Sequence, residues 1–222
     1  YSYNRLEEIF RPIKINIDHS LTKRHISSQI DLALGFRIKQ TEEILQTKAK
    51  QLAPESQFDQ WGPLLHGGSQ TWIGLDFQIL QTSYRDLMAL FEIIRPKKGE
   101  RIVDLGAGYG RVGVFLHHFY PQTEFLGVEI VPERVSEGNR LLESLGGVNK
   151  KLAAVDLSTL KELPAGDIYF IYDFGSSAHI KKVLEQLKHT PRRLLVVKGQ
   201  IARQMMIKDE VYGEGLKVKK LE

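Results

Sequence analysis

Apolar residues recur at three- and four-residue intervals through residues 1–53, which is the spacing of one face of a helix. The positions with this spacing are Leu6, Ile9, Phe10, Ile26, Ile30, Leu34, Ile38 and Leu45. Pro54 ends the pattern, and Gly35 within it argues against one unbroken helix. We therefore expect an α-helical N-terminal extension, and the sequence leaves open whether it is a lid, a substrate-side element or an oligomer arm.

Residues 54–81 contain both tryptophans, Trp61 and Trp72, together with four glycines. The favoured interpretation is a packed connector whose aromatic side chains cover the edge of the core. The alternative is a flap over a ligand, because glycine-flanked loops can move. We group this connector with the helical extension as an N-terminal unit, residues 1–81.

From Thr82 onward, short apolar runs alternate with helical patterns. A helix begins here, with Thr82 or Ser83 as its N-cap. The predicted strands begin at Ile102 and then cover 124–128, 151–155, 167–172 and 193–197, and the helices between them cover 111–118, 132–145 and 179–188. Strands that alternate with helices indicate a mainly parallel sheet covered on both faces. We expect an α/β, Rossmann-like, doubly wound domain over residues 82–222.

Composition and charge narrow the functional classes. The chain of 222 residues contains no cysteine, which excludes disulfides, thiolate metal sites and cysteine nucleophiles, and we predict no metal site. No apolar run approaches the ~20 residues of a membrane span, and we expect a cytoplasmic protein. The net charge of +4, concentrated near the C-terminus, is interpreted as a solvated surface in preference to a nucleic-acid patch. The chain begins at Tyr1, which is compatible with a missing natural start.

The stretch from residue 101 to residue 115, RIVDLGAGYGRVGVF, reads as a strand, a glycine turn and a helix. Gly106, Gly108 and Gly110 allow the backbone to turn sharply and to approach a ligand where a Cβ would clash. The helix that follows presents free N–H groups at its start. This order predicts a ligand cradle.

Four acids lie at or just beyond the carboxyl ends of successive predicted strands: Asp104, Glu129, Asp156 and Asp173. Right-handed crossovers bring these strand ends to one edge of the sheet, which is the ligand-binding edge of open α/β folds. Glu129 follows the glycine cradle by roughly twenty residues, the spacing at which a carboxylate reaches a ribose diol. The ligand predicted by this pattern is a nucleoside.

Two nucleoside ligands compete for the cradle. Gly108, Gly110 and Gly113 formally satisfy the dinucleotide pattern GxGxxG. However, Gly106 comes two residues too early for that register, and the remaining chain leaves no second domain for a hydride acceptor. The register from Asp104 through Gly106 and Gly108 to Gly110 fits S-adenosylmethionine better, because its cationic sulfonium needs no pyrophosphate clamp.

The sequence resembles the class I, seven-strand methyltransferases that use S-adenosylmethionine. Four segments carry the resemblance: Val103–Gly110, Gly127–Glu129, Val155–Leu157 and Tyr172–Gly175. It implies S-adenosylmethionine as cofactor and S-adenosylhomocysteine as product. By resemblance, the glycine loop holds the methionine part with Asp104 near its ammonium group, and Glu129 takes the ribose hydroxyls. Likewise, Asp156 and the Leu157 backbone address the adenine, and Asp173 faces the methyl acceptor.

A finer resemblance concerns the acceptor. The run Thr82-Ser83-Tyr84, followed by the glycine motif, resembles the layout of the non-SET seven-strand lysine methyltransferases, and it implies a protein amine as acceptor with Tyr84 on the substrate side. The fourth motif, Asp173-Phe174-Gly175-Ser176, departs from that family. A small molecule or RNA as acceptor, or a non-catalytic adenosyl-binding scaffold, therefore remains an alternative.

Two questions stay open at the acceptor side and at the C-terminus. Tyr172 and Phe174 either wall the acceptor site with aromatic faces or are core residues, because strand residues alternate between faces. After Lys198 the family has two further strands in a reversed hairpin, whereas about 24 residues remain here. The expectation is either a trimmed fold or a chain that stops early. The sequence does not indicate an oligomeric state.

Overall fold

A computed structural model describes residues 3–14, 19–192, 194–199, 201–202 and 218–220. The helices are α1 (Tyr3–Phe10), α2 (Ser20–Leu34), α3 (Ile38–Leu52), α4 (Phe58–Leu65), α5 (Phe77–Leu80), α6 (Tyr84–Ile94), α7 (Arg111–Phe119), α8 (Pro132–Ser144) and α9 (Ser177–His189). The strands are β1 (Arg101–Leu105), β2 (Glu124–Glu129), β3 (Lys150–Ala154), β4 (Ile168–Tyr172), β5 (Leu194–Lys198) and β6 (Val218–Lys220). Arg193, predicted as the start of the fifth strand, lies outside the described residues.

The strands form one sheet in the order β3-β2-β1-β4-β5-β6, and every neighbouring pair is parallel. The chain winds outward from β1 to β3 and then returns to place β4 on the other side of β1. Ligands bind in open α/β sheets outside the carboxyl ends of the strands at such a reversal. The predicted Rossmann-like, doubly wound fold with a mainly parallel sheet is confirmed.

Side chains of the sheet alternate between two apolar layers, as the two-residue period of a strand requires. On β1, for example, Ile102 belongs to the layer under α6, α7 and α8, whereas Val103 and Leu105 belong to the layer under α9. Both layers are covered by helices, which is why most side chains of β1, β4 and β5 are buried and apolar.

The C-terminal end has one described strand after β5, where the family that the sequence resembles has a reversed hairpin. Residues 218–220 form β6, which pairs with β5 in parallel register, Leu195 opposite Val218. Residues 203–217 and 221–222, which include Lys217 of the basic C-terminal segment, lie outside the described part of the chain.

Gly35 divides the long helical pattern of the extension into α2 and α3. Its φ of +83° is left-handed, and its N–H donates to the carbonyls of the last turn of α2. Glycine adopts this conformation at little cost, so it ends a helix where another residue would be strained. The sequence argument against one unbroken helix is confirmed.

The extension shares an apolar core layer with the sheet. Phe10 and Leu34, both fully buried, belong to the same cluster as Phe91 of α6 and Phe115 of α7. Helix α6 begins at the predicted place, because Ser83 Oγ accepts from Asp86 N at 3.1 Å and caps it. No helix in the described part of the chain has the length and apolar character that a membrane crossing needs.

Candidate active site

The loop between β1 and α7 contains three glycines in left-handed conformations. They are Gly106 (φ +88°), Gly108 (φ +56°) and Gly110 (φ +75°). The N–H groups of Gly106 and Ala107 both donate to the carbonyl of Val128, at 2.9 and 3.0 Å, which ties the loop to the end of β2. A Cβ on Gly106 would lie 2.6 Å from Cβ of Phe174, so only glycine fits there. The loop is thereby held between β2 and the segment after β4.

Glu129, the last residue of β2, is buried and fixed by two main-chain N–H groups. Its Oε2 accepts from Gly108 N at 2.8 Å, and its Oε1 accepts from Val131 N at 3.0 Å. Each carboxylate oxygen can accept two hydrogen bonds, so each keeps acceptor capacity after these contacts. The carboxylate faces a cavity, and its position relative to the glycine loop is set by the backbone.

Asp104, in β1, lines a small pocket together with Gly106 and Ala107 of the glycine loop. Burial, together with the charge of Glu129, raises the pKa of Asp104 to about 8. The same pocket is lined by Gln81 and Thr82, whose Oε1 and Oγ1 atoms are buried without a hydrogen-bond partner among the described residues. Buried polar groups are normally paired. These atoms and the carboxyl suit a ligand group that carries a positive charge and hydrogen-bonding atoms.

The main cavity lies at the carboxyl ends of the strands. It brings together seven of the predicted site residues: Gly106, Gly108, Glu129, Asp156, Leu157, Asp173 and Phe174. A second part of the wall comes from the connector, through Ser69, Gln70, Thr71, Trp72, Phe77, Leu80 and Gln81. The connector is therefore packed, as favoured from the sequence, and it also covers the cavity, as the alternative interpretation required.

Asp156 and Leu157 form one end of this cavity. Asp156 Oδ1 accepts from Ser158 N at 2.8 Å and caps a short 3₁₀ helix, Leu157–Thr159. The neighbouring wall is apolar, with Val128 and Val155. A carboxylate beside an apolar surface suits a flat, partly polar ring such as a nucleobase.

Asp173, just after β4, faces the cavity and is also bonded to the chain after β5. Its Oδ2 accepts from Ile201 N at 3.0 Å and its Oδ1 from Ala202 N at 2.9 Å. Helix α9 is capped instead by Ser176, whose Oγ accepts from His179 N at 3.3 Å. Asp173 therefore holds the segment after β5, and Ser176 is the cap of α9.

The three aromatic residues expected at the substrate side have different surroundings. Phe174 lines the main cavity, whereas Tyr172 lines the small pocket and donates through its hydroxyl to Ile79 O at 3.0 Å. Tyr84 is fully buried, and its hydroxyl donates to Asp31 Oδ1 at 2.9 Å. This core position differs from the substrate contact expected of Tyr84, and the reason is that helix α2 packs over it.

Gly110 does not line the cavity, whereas two residues outside the motifs do. Gly110 lies behind the cavity, where it precedes α7 and packs on Leu152. Trp72 and His179 line the cavity, although the motifs did not include them. Trp72 has a left-handed φ of +54°, a strained conformation that for non-glycine residues is concentrated at functional sites. The tryptophans and glycines of the connector were the one sequence signal for this wall, and His179 had none.

Comparison with known proteins gives distant structural matches. No protein-family profile matches the chain, and no curated protein matches it significantly. Among solved structures, it is similar to YjhP from E. coli, with 20% identity, a TM-score of 0.41, and coverage of 50% of this chain and 47% of that chain. It is also similar to precorrin-6y C5,15-methyltransferase from Geobacter metallireducens GS-15, with 21% identity, a TM-score of 0.41, and coverage of 48% and 58%.

A third similar structure is an RNA methyltransferase from Salinibacter ruber in complex with S-adenosyl-L-homocysteine. The identity is 16%, the TM-score is 0.48, and the match covers 55% of this chain and 80% of that chain. The chain spans about half the length of the first structures that it matches. Because all three TM-scores are below 0.5, the fold assignment depends on the strand order and register described above.

Proposed function

We propose that this protein is an S-adenosylmethionine-dependent methyltransferase. The observation that carries the proposal is the cavity at the carboxyl ends of the parallel strands, where the glycine loop, Glu129 and Asp156 converge. In this arrangement Glu129 accepts the two ribose hydroxyls, and Asp156 with the Leu157 backbone addresses the adenine. Dinucleotide binding is disfavoured because the first glycine of the loop, Gly106, comes two residues too early for the GxGxxG register.

The small pocket fits the other end of the cofactor. An α-amino acid group carries an ammonium, which Asp104 attracts when ionised, and a carboxylate, which accepts hydrogen bonds. The buried Thr82 hydroxyl can donate one such bond. The residues present therefore fit S-adenosylmethionine, which supplies a methyl group already activated by its positive sulfur.

The protein must align an acceptor atom and exclude water. We assign the orientation of the acceptor to Asp173, because it faces the cavity and each of its oxygens keeps acceptor capacity beyond its main-chain bond. A nitrogen acceptor must be deprotonated before it attacks, and a carboxylate that accepts a hydrogen bond from the amine holds its lone pair in line. Phe174 and Trp72 supply apolar walls that limit water.

We propose a protein lysine as the acceptor. The resemblance to the non-SET lysine methyltransferases supports this choice. An acid in a cavity that Phe174 and Trp72 also line suits a cationic amine and its methylated product. A small molecule or RNA is the alternative acceptor, and a non-catalytic adenosyl-binding scaffold is the alternative function.

The test is transfer of labelled methyl groups from S-adenosylmethionine to a lysate. We expect precipitable label that resists nuclease and disappears with protease. Label that nuclease removes would show that the acceptor is RNA and not protein. Label transferred to a species that does not precipitate would indicate a small-molecule acceptor. If the protein binds the cofactor and transfers nothing, the scaffold interpretation replaces the enzyme.

A further inference from the structure

Two buried acids of the N-terminal extension face the glycine loop. Asp31 of α2 and Glu42 of α3 are 4% and 7% exposed, and each forms an ion pair with a buried arginine of the sheet domain. We propose that α2 and α3 position the glycine loop through these two pairs, so that the extension is part of the ligand-binding unit. Only the consequence for ligand affinity depends on the proposed function.

The first pair joins α2 to the residue directly after the third glycine. Arg111 Nη2 donates to Asp31 Oδ2 and, at 2.9 Å, to Gln78 Oε1. Arg111 Nη1 donates to Thr82 O at 3.1 Å. Asp31 also accepts from Tyr84 OH at 2.9 Å and from Gln78 Nε2 at 3.2 Å. Arg111 is therefore bonded to α2, to the connector and to the residue before the cap of α6.

The acid of the second pair, Glu42, joins α3 both to Arg134 of α8 and to Tyr109, the residue between the second and third glycines. Glu42 Oε1 accepts from Tyr109 OH at 3.0 Å and from Arg134 Nε at 2.8 Å. Arg134 Nη1 in turn donates to Thr71 O at 2.9 Å, in the cavity wall. The Tyr109 ring is fully buried and packs edge-on against Phe77, with ring centroids 4.5 Å apart.

Tyr109 and Arg111 are the two residues that flank Gly110, so their side chains set the position of the loop backbone on both sides of it. Removing one partner of a buried ion pair leaves an uncompensated charge, which is strongly destabilising. Arg111 without Asp31, or Tyr109 without the Glu42 carboxylate, must move to find another partner, and this movement displaces the loop backbone. The loop N–H groups that bond to Val128 and Glu129 then separate from them more often. The two pairs therefore give the extension a positioning role, which neither a detachable lid nor an oligomer arm would need.

Hydrogen exchange on the ligand-free full chain tests this inference. In Asp31→Asn and Glu42→Gln, the loop N–H groups of residues 106–110 should exchange at least about tenfold faster than in the unsubstituted protein, while β4 and β5 stay protected. Tyr109→Phe removes only the hydroxyl contact to Glu42 and should accelerate the loop by about threefold. If Asp31→Asn or Glu42→Gln fails to fold, the loop exchange rate of Tyr109→Phe tests the inference in its place.

Ser27→Ala is the matched control. Ser27 is buried on α2, and its Oγ accepts from Tyr84 N at 3.1 Å, so its loss loosens α2 from α6 without a contact to the loop. Its loop exchange should stay within about twofold of the unsubstituted protein. Unchanged loop exchange in Asp31→Asn, Glu42→Gln and Tyr109→Phe would overturn the inference, and so would equal acceleration in Ser27→Ala.

Affinity for S-adenosylhomocysteine is the second measurement. Asp31→Asn and Glu42→Gln should bind it at least about tenfold more weakly, whereas Ser27→Ala should bind it like the unsubstituted protein. If the unsubstituted protein does not bind S-adenosylhomocysteine, the proposed function fails, while the exchange data still decide whether the extension positions the loop.

Discussion

Two carboxylates that line the cavity are each held by two main-chain N–H groups. Glu129, after β2, accepts from the N–H groups of Gly108 and Val131, and Asp173, after β4, accepts from those of Ile201 and Ala202. The difference lies in which part of the chain each one fixes. Glu129 fixes the glycine loop, which belongs to the same motif region of the sequence, whereas Asp173 fixes a segment that follows a later strand.

In the proposed function, Glu129 marks the cofactor end of the cavity and Asp173 marks the acceptor end. At the cofactor end, the glycine loop and the acid come from the consecutive units that begin with β1 and β2. At the acceptor end, the walls come from distant parts of the chain, namely Trp72 in the connector, Phe174 after β4 and His179 in α9. The cofactor end is therefore a property of a local motif, and the acceptor end is a property of how the whole chain folds.

Asp173→Asn should have the largest effect, and the effect should be on turnover. If Asp173 orients the acceptor amine, methyl transfer should fall by roughly 100-fold or more, while the affinity for S-adenosylhomocysteine stays within about threefold. Asparagine keeps one acceptor oxygen but places an NH₂ group against a main-chain N–H, so folding stability should also fall by about 1 kcal/mol. Initial rates at saturating cofactor, well below the melting temperature, measure the effect.

Ser176→Ala controls for that loss of stability. It removes the cap of α9 close to the same cavity and should cost about 1 kcal/mol without changing a carboxylate. Its turnover should stay near that of the unsubstituted protein. Full turnover by Asp173→Asn on the true acceptor would assign Asp173 a purely structural role.

Glu129→Ala should have the next largest effect, on cofactor binding. The substitution removes charge-assisted hydrogen bonds worth roughly 1.5–3 kcal/mol, so affinity for S-adenosylhomocysteine should fall by about 10- to 100-fold without unfolding. Glu124→Ala is the matched control, because Glu124 begins the same strand and pairs on the surface with Arg101. An equal dissociation constant in Glu129→Ala and Glu124→Ala would make Glu129 a structural acid only.

The pH dependence of cofactor binding should be the smallest effect. Burial and Glu129 raise the pKa of Asp104 to about 8, so the fraction of Asp104 that is ionised grows roughly fivefold between pH 7 and pH 8. Only the ionised form attracts an ammonium group, so affinity for S-adenosylhomocysteine should rise by about the same factor with increasing pH. Asp104→Asn should abolish the rise, whereas a flat profile in the unsubstituted protein would remove Asp104 from the ligand contacts. Calorimetry at several pH values measures it.

The parts of the fold that could be predicted are those that depend on local sequence. Strand β1, the glycine loop and the acid at the end of β2 follow from hydrophobic period and from the backbone freedom of glycine. Gly35 correctly indicated that the helical pattern of the extension is divided into two helices. These features need no knowledge of distant contacts.

The contacts that escaped prediction join residues far apart in the chain. Arg111 and Asp31 are 80 positions apart, and Arg134 and Glu42 are 92 positions apart. Nothing in the local pattern marks either acid as a partner of the loop. The expectation that Tyr84 lies at the substrate side failed for the same reason. Its burial depends on a contact with Asp31 of α2, 53 positions earlier in the chain.

The central claim is that the cavity binds an adenosyl ligand through the glycine loop and Glu129. Calorimetric titration of the purified chain with S-adenosylhomocysteine and, separately, with NAD tests it most directly. We predict a dissociation constant in the micromolar range for S-adenosylhomocysteine, which corresponds to a binding free energy on the order of 8 kcal/mol in favour of the complex. NAD should bind much more weakly. Tighter binding of NAD, or binding of neither nucleoside, would contradict the claim.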